Sequence, residues 1–417
     1  MYESFKPLRW INARDDQAKV VLGPFFQKIT DVFAQHPSVI KTEPVPERPK
    51  ILMDLFGAYD VRISANDYTS FEAHFVTELM VIELEFYEYM FSHYPDFHDV
   101  MKFLDVICGG LSGISYNILK MKDWGSVFVR AKRCSGEMNT SLGNTFHNLM
   151  QINFQAHRKN ATVVSVVEGD DSLAAYDPPE RTPTAKDFEE TGWHAKVVDF
   201  TTPGDASFCG NVYDCEDLIV VKDPIQVIST LGWVGKRYLG AKESTLLSIL
   251  KCKVLSMAHQ YGRNPVIWAL AGRLLHLLRE VNVKKSYINS LSAYEREQYR
   301  GYMLSPLIVS EPPIGTRLLV ERLYGICLDD QYYLEEMFSS VNLAPVEIPD
   351  YLVPEAWSRC SRDYVFDNLI DNATTHRGFE PLWHQELIRV WGEAGLSKDL
   401  ERWIRQYRRN GGTFYAQ

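Results

Sequence analysis

Three short stretches of this 417-residue chain hold side chains whose types and spacing could do chemistry. Gly169-Asp170-Asp171 places two adjacent carboxylates after a glycine, Asp67 follows Asn66, and a loop leads into a helix at Ser135-Gly136-Glu137-Met138-Asn139-Thr140. Carboxylates that close raise each other's pKa unless positive charge lies beside them. A divalent ion is the natural partner, and Mg²⁺ typically takes one or two protein carboxylates plus substrate phosphates. If Asp67 and Asp170 meet at one end of a sheet, two ions about 4 Å apart could clamp an attacking and a leaving oxygen. Thr140 and Asn144 are four residues apart and share a helix face, where they could read a sugar hydroxyl. The plain alternative for that pair is an ordinary solvated helix surface.

Particular elements must bring these groups together. Val61 to Ala65 alternates like a strand and is expected to stop at Asn66-Asp67. Phe71, Phe75, Leu79, Ile82, Phe86 and Met90 recur at helical spacing, which predicts one long helix started by a Thr69–Glu72 capping box. Ser126 to Val129 reads as a strand, followed by the Ser135-Gly136 loop and a helix from about Met138. The β-branched run Thr162 to Val167 and the return Leu173 to Tyr176 predict a hairpin, with Gly169 supplying a positive φ in its turn. A short helix from Ala185 to Thr191 should end at Gly192, and a strand from about His194 to Phe200 should follow. Residues 1 to about 50, with prolines at 7, 24, 37, 44, 46 and 49, read as strand and loop; from Pro224 onward the chain reads as mostly helical.

The composition, 46% hydrophobic and 24% charged, supports buried cores and excludes the disordered and collagen-like classes. No apolar run reaches the roughly 18 residues of a membrane span, and no leader opens the sequence, so a soluble chain in a reducing compartment is expected. Seven cysteines without a C-x-x-C pair support neither a disulfide framework nor a zinc site. The net charge of −10 is concentrated between Ala161 and Asp223, where fourteen acids face four bases; Lys120 to Asn160 holds seven bases against two acids. A basic stretch abutting an acidic one suits a protein that holds a polyanion beside a cation site, although solvated surface would look the same.

Taken together, Asp67-Tyr68-Thr69-Ser70-Phe71-Glu72, the Ser135 to Thr140 segment with Asn144, and Gly169-Asp170-Asp171 resemble palm motifs A, B and C of positive-strand RNA virus RNA-dependent RNA polymerases, most of all the tombusvirus-like and nodavirus-like group. Lys6 with Arg9-Trp10-Ile11-Asn12-Ala13-Arg14 resembles the basic fingers motif F. Gly192-Trp193-His194-Ala195-Lys196 resembles motif D, and Phe208-Cys209-Gly210 resembles the motif E turn. The resemblance implies an α+β right-hand polymerase with an antiparallel, RRM-like palm sheet, partial fingers and a helical thumb. The implied segments are 1–50 for partial fingers, 51–75 for palm with motif A, 76–130 for a fingers insertion, 131–223 for palm with motifs B to E, and 224–417 for the thumb.

It further implies that Asp67 and Asp170, assisted by Asp171, ligate two Mg²⁺, with Mn²⁺ able to substitute. Lys196 would protonate the leaving pyrophosphate. Lys6, Arg9 and Arg14 would hold the incoming nucleoside triphosphate, while Ser135, Gly136, Thr140 and Asn144 would position ribose and template. Template and nascent RNA would be the other partners, with an upstream replicase segment or viral or host replication proteins. Localisation would be the host cytoplasm, with attachment to a replication membrane through a partner and no span of its own.

Two departures stand out. The family usually has aspartate where this chain has Glu72, the position that would sense the ribose 2′-hydroxyl with Asn144; the capping-box reading gives Glu72 a structural task instead. Motif F begins six residues from Met1, so most of the upstream fingers is expected to lie outside this chain, as in a fragment or one part of a readthrough or frameshift product. A reverse transcriptase and an inert RNA-binding replication subunit are the alternatives.

Overall fold

A computed structural model of the chain describes residues 11–57, 62–95, 97–111, 117–121, 125–231, 238, 241–291, 293–304 and 306–341. They form a mixture of helices and antiparallel sheet in two compact units, one within residues 8–218 and the other beginning at residue 219.

The first unit is built on a four-stranded sheet: β1 (Ile63–Tyr68), β4 (Thr162–Glu168), β5 (Asp171–Asp177) and β6 (Ala195–Phe200), in the order β4-β5-β1-β6. β4 and β5 form the expected hairpin, joined by Gly169-Asp170 with Gly169 at φ +65°. β1 does not stop at Asn66-Asp67. It runs to Tyr68 because β6 pairs with every residue from Ile63 to Tyr68. A separate hairpin, β2 (Asn117–Met121) and β3 (Gly125–Val129), holds the strand expected at 126–129, and β7 (Ser207–Phe208) pairs with β8 (Asn211–Asp214).

Helix α5 (Thr140–Arg158) covers one face of the sheet. Its Leu149, Ile152 and Ala156 pack with Val167, Ala174 and Tyr176, while its Leu142 joins Tyr68, Phe71, Phe75 and Trp193 in a second cluster.

Two expectations fail. Residues 16–33, read as strand and loop, form helix α1 (Asp16–Phe33) with Pro24 inside it. Proline in a helix interior removes a hydrogen bond and normally breaks the helix, but Leu22, Phe26 and Ile29 bury along one side and the Asp15 carboxylate accepts from the Ala18 N–H at 2.9 Å. The long helix from Phe71 is likewise two pieces, a 3₁₀ turn over Phe71–His74 and helix α3 (Thr77–Phe91). Phe71 and Phe75 both pack on Trp193, at 4.9 and 6.1 Å between ring centroids, and the extended Phe75 lets them. Ser70, at the start of the turn, has φ +56° and makes no side-chain cap, so the Thr69–Glu72 capping box is absent.

The segment joining β3 to α5 is fastened by a buried polar network. Glu83 of α3 accepts from Arg133, from Tyr87 Oη (2.6 Å), from Asn139 Nδ2 (2.9 Å) and from His147 Nε2 (3.2 Å). Arg133 and Glu83 are almost wholly removed from solvent, an arrangement tolerated only when such charges are paired. Helix α4 (Phe97–Ile107) supplies Val100, Leu104 and Ile107 to the larger apolar cluster, helix α2 (Arg48–Phe56) buries Leu52 and Phe56, and the short helix α6 (Ala185–Glu189) precedes β6.

The second unit opens with β9 (Ile219–Val221). Helices α7 (Pro224–Leu231), α8 (Glu243–Tyr261), α9 (Ile267–Leu277), α10 (Lys285–Ser290), α11 (Ala293–Leu304), α12 (Ile314–Tyr324) and α13 (Leu328–Ser339) follow. A buried Arg317–Glu335 pair at 2.8 Å joins α12 to α13, and Glu335 also accepts from the Val266 N–H. Residues 342–417, which complete the expected thumb, lie outside the described residues.

Burial and the nearby Arg133 cation push His147 down to about 3, so the folded chain keeps this imidazole neutral. An unfolded histidine takes its proton near pH 6.5, so this stability is present above that pH and is lost as pH falls toward 3. Between about pH 6 and 4 the wild type should lose roughly 1 kcal/mol more per pH unit than His147→Gln, measured by denaturant unfolding across a pH series.

Candidate active site

The site is one row of residues across the sheet. Glu168 on β4 pairs with Asp171 on β5, and Asp67 on β1 pairs with Lys196 on β6. Asn66 pairs with Ser172, so Asp67 and Asp171 face each other one step further along. Cross-strand partners share a face. Asn66 and Ser172 are buried on the α5 side, so Glu168, Asp171, Asp67 and Lys196 project from the other. The register makes Asp171, not Asp170, the residue opposite Asp67; Asp170 occupies the turn between β4 and β5.

These carboxylates feel one another. Desolvation first, then the charges of Asp170, Asp67 and Glu168, push Asp171 up to about 6, against a smaller lowering from the nearby Cys209 thiol. That is the condition a cation would relieve. Among the described residues no three His, Cys, Asp or Glu side chains form a ready metal cage. Mg²⁺ typically takes one or two protein carboxylates plus substrate phosphates, and Asp67 and Asp171, opposed by register, could supply two, with Asp170 in the adjoining turn.

The turn is held from beneath by α5. Thr145 Oγ1 accepts from the Gly169 N–H at 2.8 Å. Asn148 Nδ2 donates to the carbonyls of Gly169 (3.2 Å) and Asp171 (3.1 Å), while its Oδ1 accepts from Tyr68 Oη (3.3 Å). One buried amide thus joins β1, α5 and the aspartate turn. Sequence reasoning did not single out Tyr68, Thr145 or Asn148. A signal was present, because Asn144, Asn148, Gln151 and Gln155 recur at steps of four, three and four, a polar stripe beside the apolar one. Gln151 and Gln155 both donate to Thr191 Oγ1, at 2.7 and 3.0 Å, just before Lys196's strand. His194 extends this attachment: its N–H donates to His74 Nε2 at 2.9 Å and its carbonyl accepts from the Thr69 N–H at 2.9 Å.

On the substrate side, Asn144 Nδ2 reaches Glu72 Oε1 at 3.5 Å, and its buried Oδ1 has no partner among the described residues. A hydroxyl placed here could donate to the Glu72 carboxylate or to the Asn144 Oδ1, and its oxygen could accept from the Asn144 amide N–H. Thr140 Oγ1 is engaged with the Cys134 carbonyl at 2.8 Å. Ser135 lies in a loop tied down by the Asn12 N–H, which donates to its carbonyl at 2.7 Å. Gly136 has φ +89°, and a Cβ there would lie 2.5 Å from Ile11 Cγ2, so a side chain would displace residue 11 or the loop. Arg14 donates to Glu137 Oε2 (2.6 Å) and Asn117 Oδ1 (3.0 Å), which joins it to the same loop. Lys6 and Arg9 lie outside the described residues.

A protein-family model described as RNA dependent RNA polymerase matches residues 100–244, about a third of the chain. The match takes in Ser135 to Asn144, the aspartate turn and Lys196; Asp67 and Glu72 lie before it and join the site through sheet register and the Asn144 contact. No curated protein matches the chain. No helix among the described residues is long and apolar enough to cross a membrane.

Thr145→Val keeps the shape of the side chain and removes the acceptor for the Gly169 N–H. It should lower stability by about 1 kcal/mol, the typical net worth of a hydrogen bond to a half-buried donor, read as a lower denaturant midpoint with an unchanged m-value.

Proposed function

We propose that the chain is the catalytic part of an RNA-directed RNA polymerase of a positive-strand RNA virus, of the tombusvirus-like and nodavirus-like group. The observation that carries this reading is the shared end of the sheet where Asp67, Asp171 and the Asp170 turn converge with Lys196 on one face. The polymerase family match over residues 100–244 supports it independently. In this reading residues 51–75 and 131–223 are palm, residues 1–50 and 76–130 belong to the fingers, and residues from 224 are thumb.

The reaction is attack of an RNA 3′-hydroxyl on the α-phosphate of a nucleoside triphosphate paired to the template. A new P–O bond forms as the bond to the bridging oxygen breaks, and pyrophosphate leaves. Asp67, Asp170 and Asp171 hold two Mg²⁺, or Mn²⁺, which when bound supply positive charge to the attacking and leaving oxygens. Lys196 donates its proton to the departing pyrophosphate, general-acid work that typically contributes about 10²- to 10⁴-fold. Glu72 accepts from the ribose 2′-hydroxyl, and Asn144, whose Nδ2 lies 3.5 Å from Glu72 Oε1, donates to the hydroxyl oxygen with its second amide N–H. Lys6 and Arg9 bind the triphosphate in this reading, and Arg14, whose guanidinium is taken up by Glu137 and Asn117, braces the Ser135-Gly136 loop instead. Template and nascent RNA are the remaining partners. The enzyme works in host cytoplasm and reaches any replication membrane through a partner or an upstream replicase segment.

Two substitutions test this. Asp170→Asn should reduce Mg²⁺-dependent extension of a primed RNA template by more than about a hundredfold, beyond what loss of a metal's outer-shell partner costs, with an unchanged circular dichroism spectrum. Extension near the wild-type rate would remove the aspartate turn from the site. Glu72→Gln should erode the preference for ribo- over deoxyribonucleotides by about tenfold or more, because a site that hydrogen-bonds a hydroxyl rejects the analogue lacking it; competition between the two triphosphates measures this, and unchanged selectivity would assign the contact to structure alone.

A further inference from the structure

Glu168 is a fourth carboxylate at this end of the sheet, and the proposed reaction leaves it without a task. It lies directly across from Asp171 in the β4–β5 ladder and therefore on the same face, with side chains starting about 5 Å apart. Left bare, it would be a ready ligand for any divalent ion held by Asp67 and Asp171.

It is not bare. Arg48 Nη1 lies 2.7 Å from Glu168 Oε2, and the arginine side chain is only 6% exposed. Cys209 Sγ donates to the same carboxylate oxygen at 3.5 Å. The half-buried Lys41 ammonium also feels the Glu168 charge while donating to Ser141 Oγ at 2.7 Å. Arg48 is itself anchored, since its Nε donates to the Glu43 carbonyl at 3.2 Å while its Nη1 meets Glu168. A guanidinium fixed on two sides cannot swing away to a substrate phosphate, so its charge stays committed to Glu168.

We propose that Arg48 determines the metal specificity of the site by withholding Glu168 from it. The ion pair leaves Asp67, Asp170 and Asp171 as the carboxylates open to a divalent ion. It keeps coordination positions free for substrate phosphates, as Mg²⁺ requires. Released, Glu168 would add a further carboxylate beside Asp171, strengthening ion binding and leaving fewer coordination positions for phosphate. The inference deepens the polymerase reading and rests on its placement of the metals.

The test is Mn²⁺ binding by the full chain without RNA or nucleotide, followed by the paramagnetic resonance signal of free Mn²⁺, alongside Mg²⁺-dependent primer extension. Arg48→Met should bind Mn²⁺ about tenfold more tightly, and Glu168→Gln about tenfold more weakly because it leaves an unpaired cation beside the aspartates; both sizes are those typical of outer-shell changes. The double variant Arg48→Met/Glu168→Gln should return close to wild type, and Arg48→Lys, which keeps the charge, should stay close to it. A merely structural ion pair would change unfolding midpoints and leave Mn²⁺ affinity where it was, which overturns the proposal. If Arg48→Met does not fold, the comparison of Glu168→Gln with the double variant decides: equal Mn²⁺ affinities overturn the proposal, and a weaker single variant supports it. Shifted Mn²⁺ binding in a wild-type chain that never extends RNA would overturn the polymerase reading alone. Extension by the wild type with unshifted Mn²⁺ binding across the variants would overturn this inference alone.

Discussion

Antiparallel register is the constraint on which the site depends. Sheets avoid like charges directly opposite one another, yet here Glu168 faces Asp171 and Asp171 faces Asp67. The arrangement survives because the other face of the same strands is committed. Asn66, Ser172, Val167 and Ala174 are buried beneath α5, and a slip of one residue would carry them into solvent and the carboxylates into the core. Apolar burial on one face thus holds electrostatic repulsion in place on the other.

Helix α5 does more than cover the sheet. Its apolar residues fix the distance to the strands, and its polar stripe fixes the chain direction at the two ends of the row. Thr145 and Asn148 bind the turn after β4, and Gln151 and Gln155 bind the approach to β6. Because Asn148 uses its amide oxygen on Tyr68 and its amide nitrogen on two turn carbonyls, rotating or removing it would disturb β1 and the turn together. Ionisable groups from three separate segments therefore share a common support.

Much of this was legible from residue types alone. The hairpin around Gly169, the strand that carries Asp67 and the helix carrying Asn144 follow from period-two and period-3.6 patterns, although that strand runs on to Tyr68 rather than stopping at Asn66-Asp67. What could not be read is tertiary in origin. The break after His74 exists because Phe71, Phe75 and Trp193 must stack, and Trp193 is more than a hundred residues away. Pro24 is tolerated because Leu22 and Phe26 on either side of it are buried. The Thr69–Glu72 capping box is missing because Ser70, at φ +56°, opens the 3₁₀ turn without a side-chain cap. Glu168 gave no signal as one more acid in an acidic window; only the arrival of Arg48 from α2 sets it apart.

The placement of buried polar groups follows a consistent logic. Burying Glu83 with Arg133 and His147 is not the most stable choice, since apolar residues of similar volume commonly do as well or better. These groups cluster around the 131–139 loop, which presents Ser135 and Gly136 and is met from its other side by Arg14 and Asn12. Apolar contacts resist separation but permit sliding, whereas a hydrogen-bonded network tolerates only one alignment. The network therefore holds Ser135 and Gly136 at a single alignment. The same reasoning explains why the aspartate turn rests on Asn148 and Thr145 rather than on a larger apolar contact: at a row of repelling carboxylates, any freedom to slide would be used to move the charges apart.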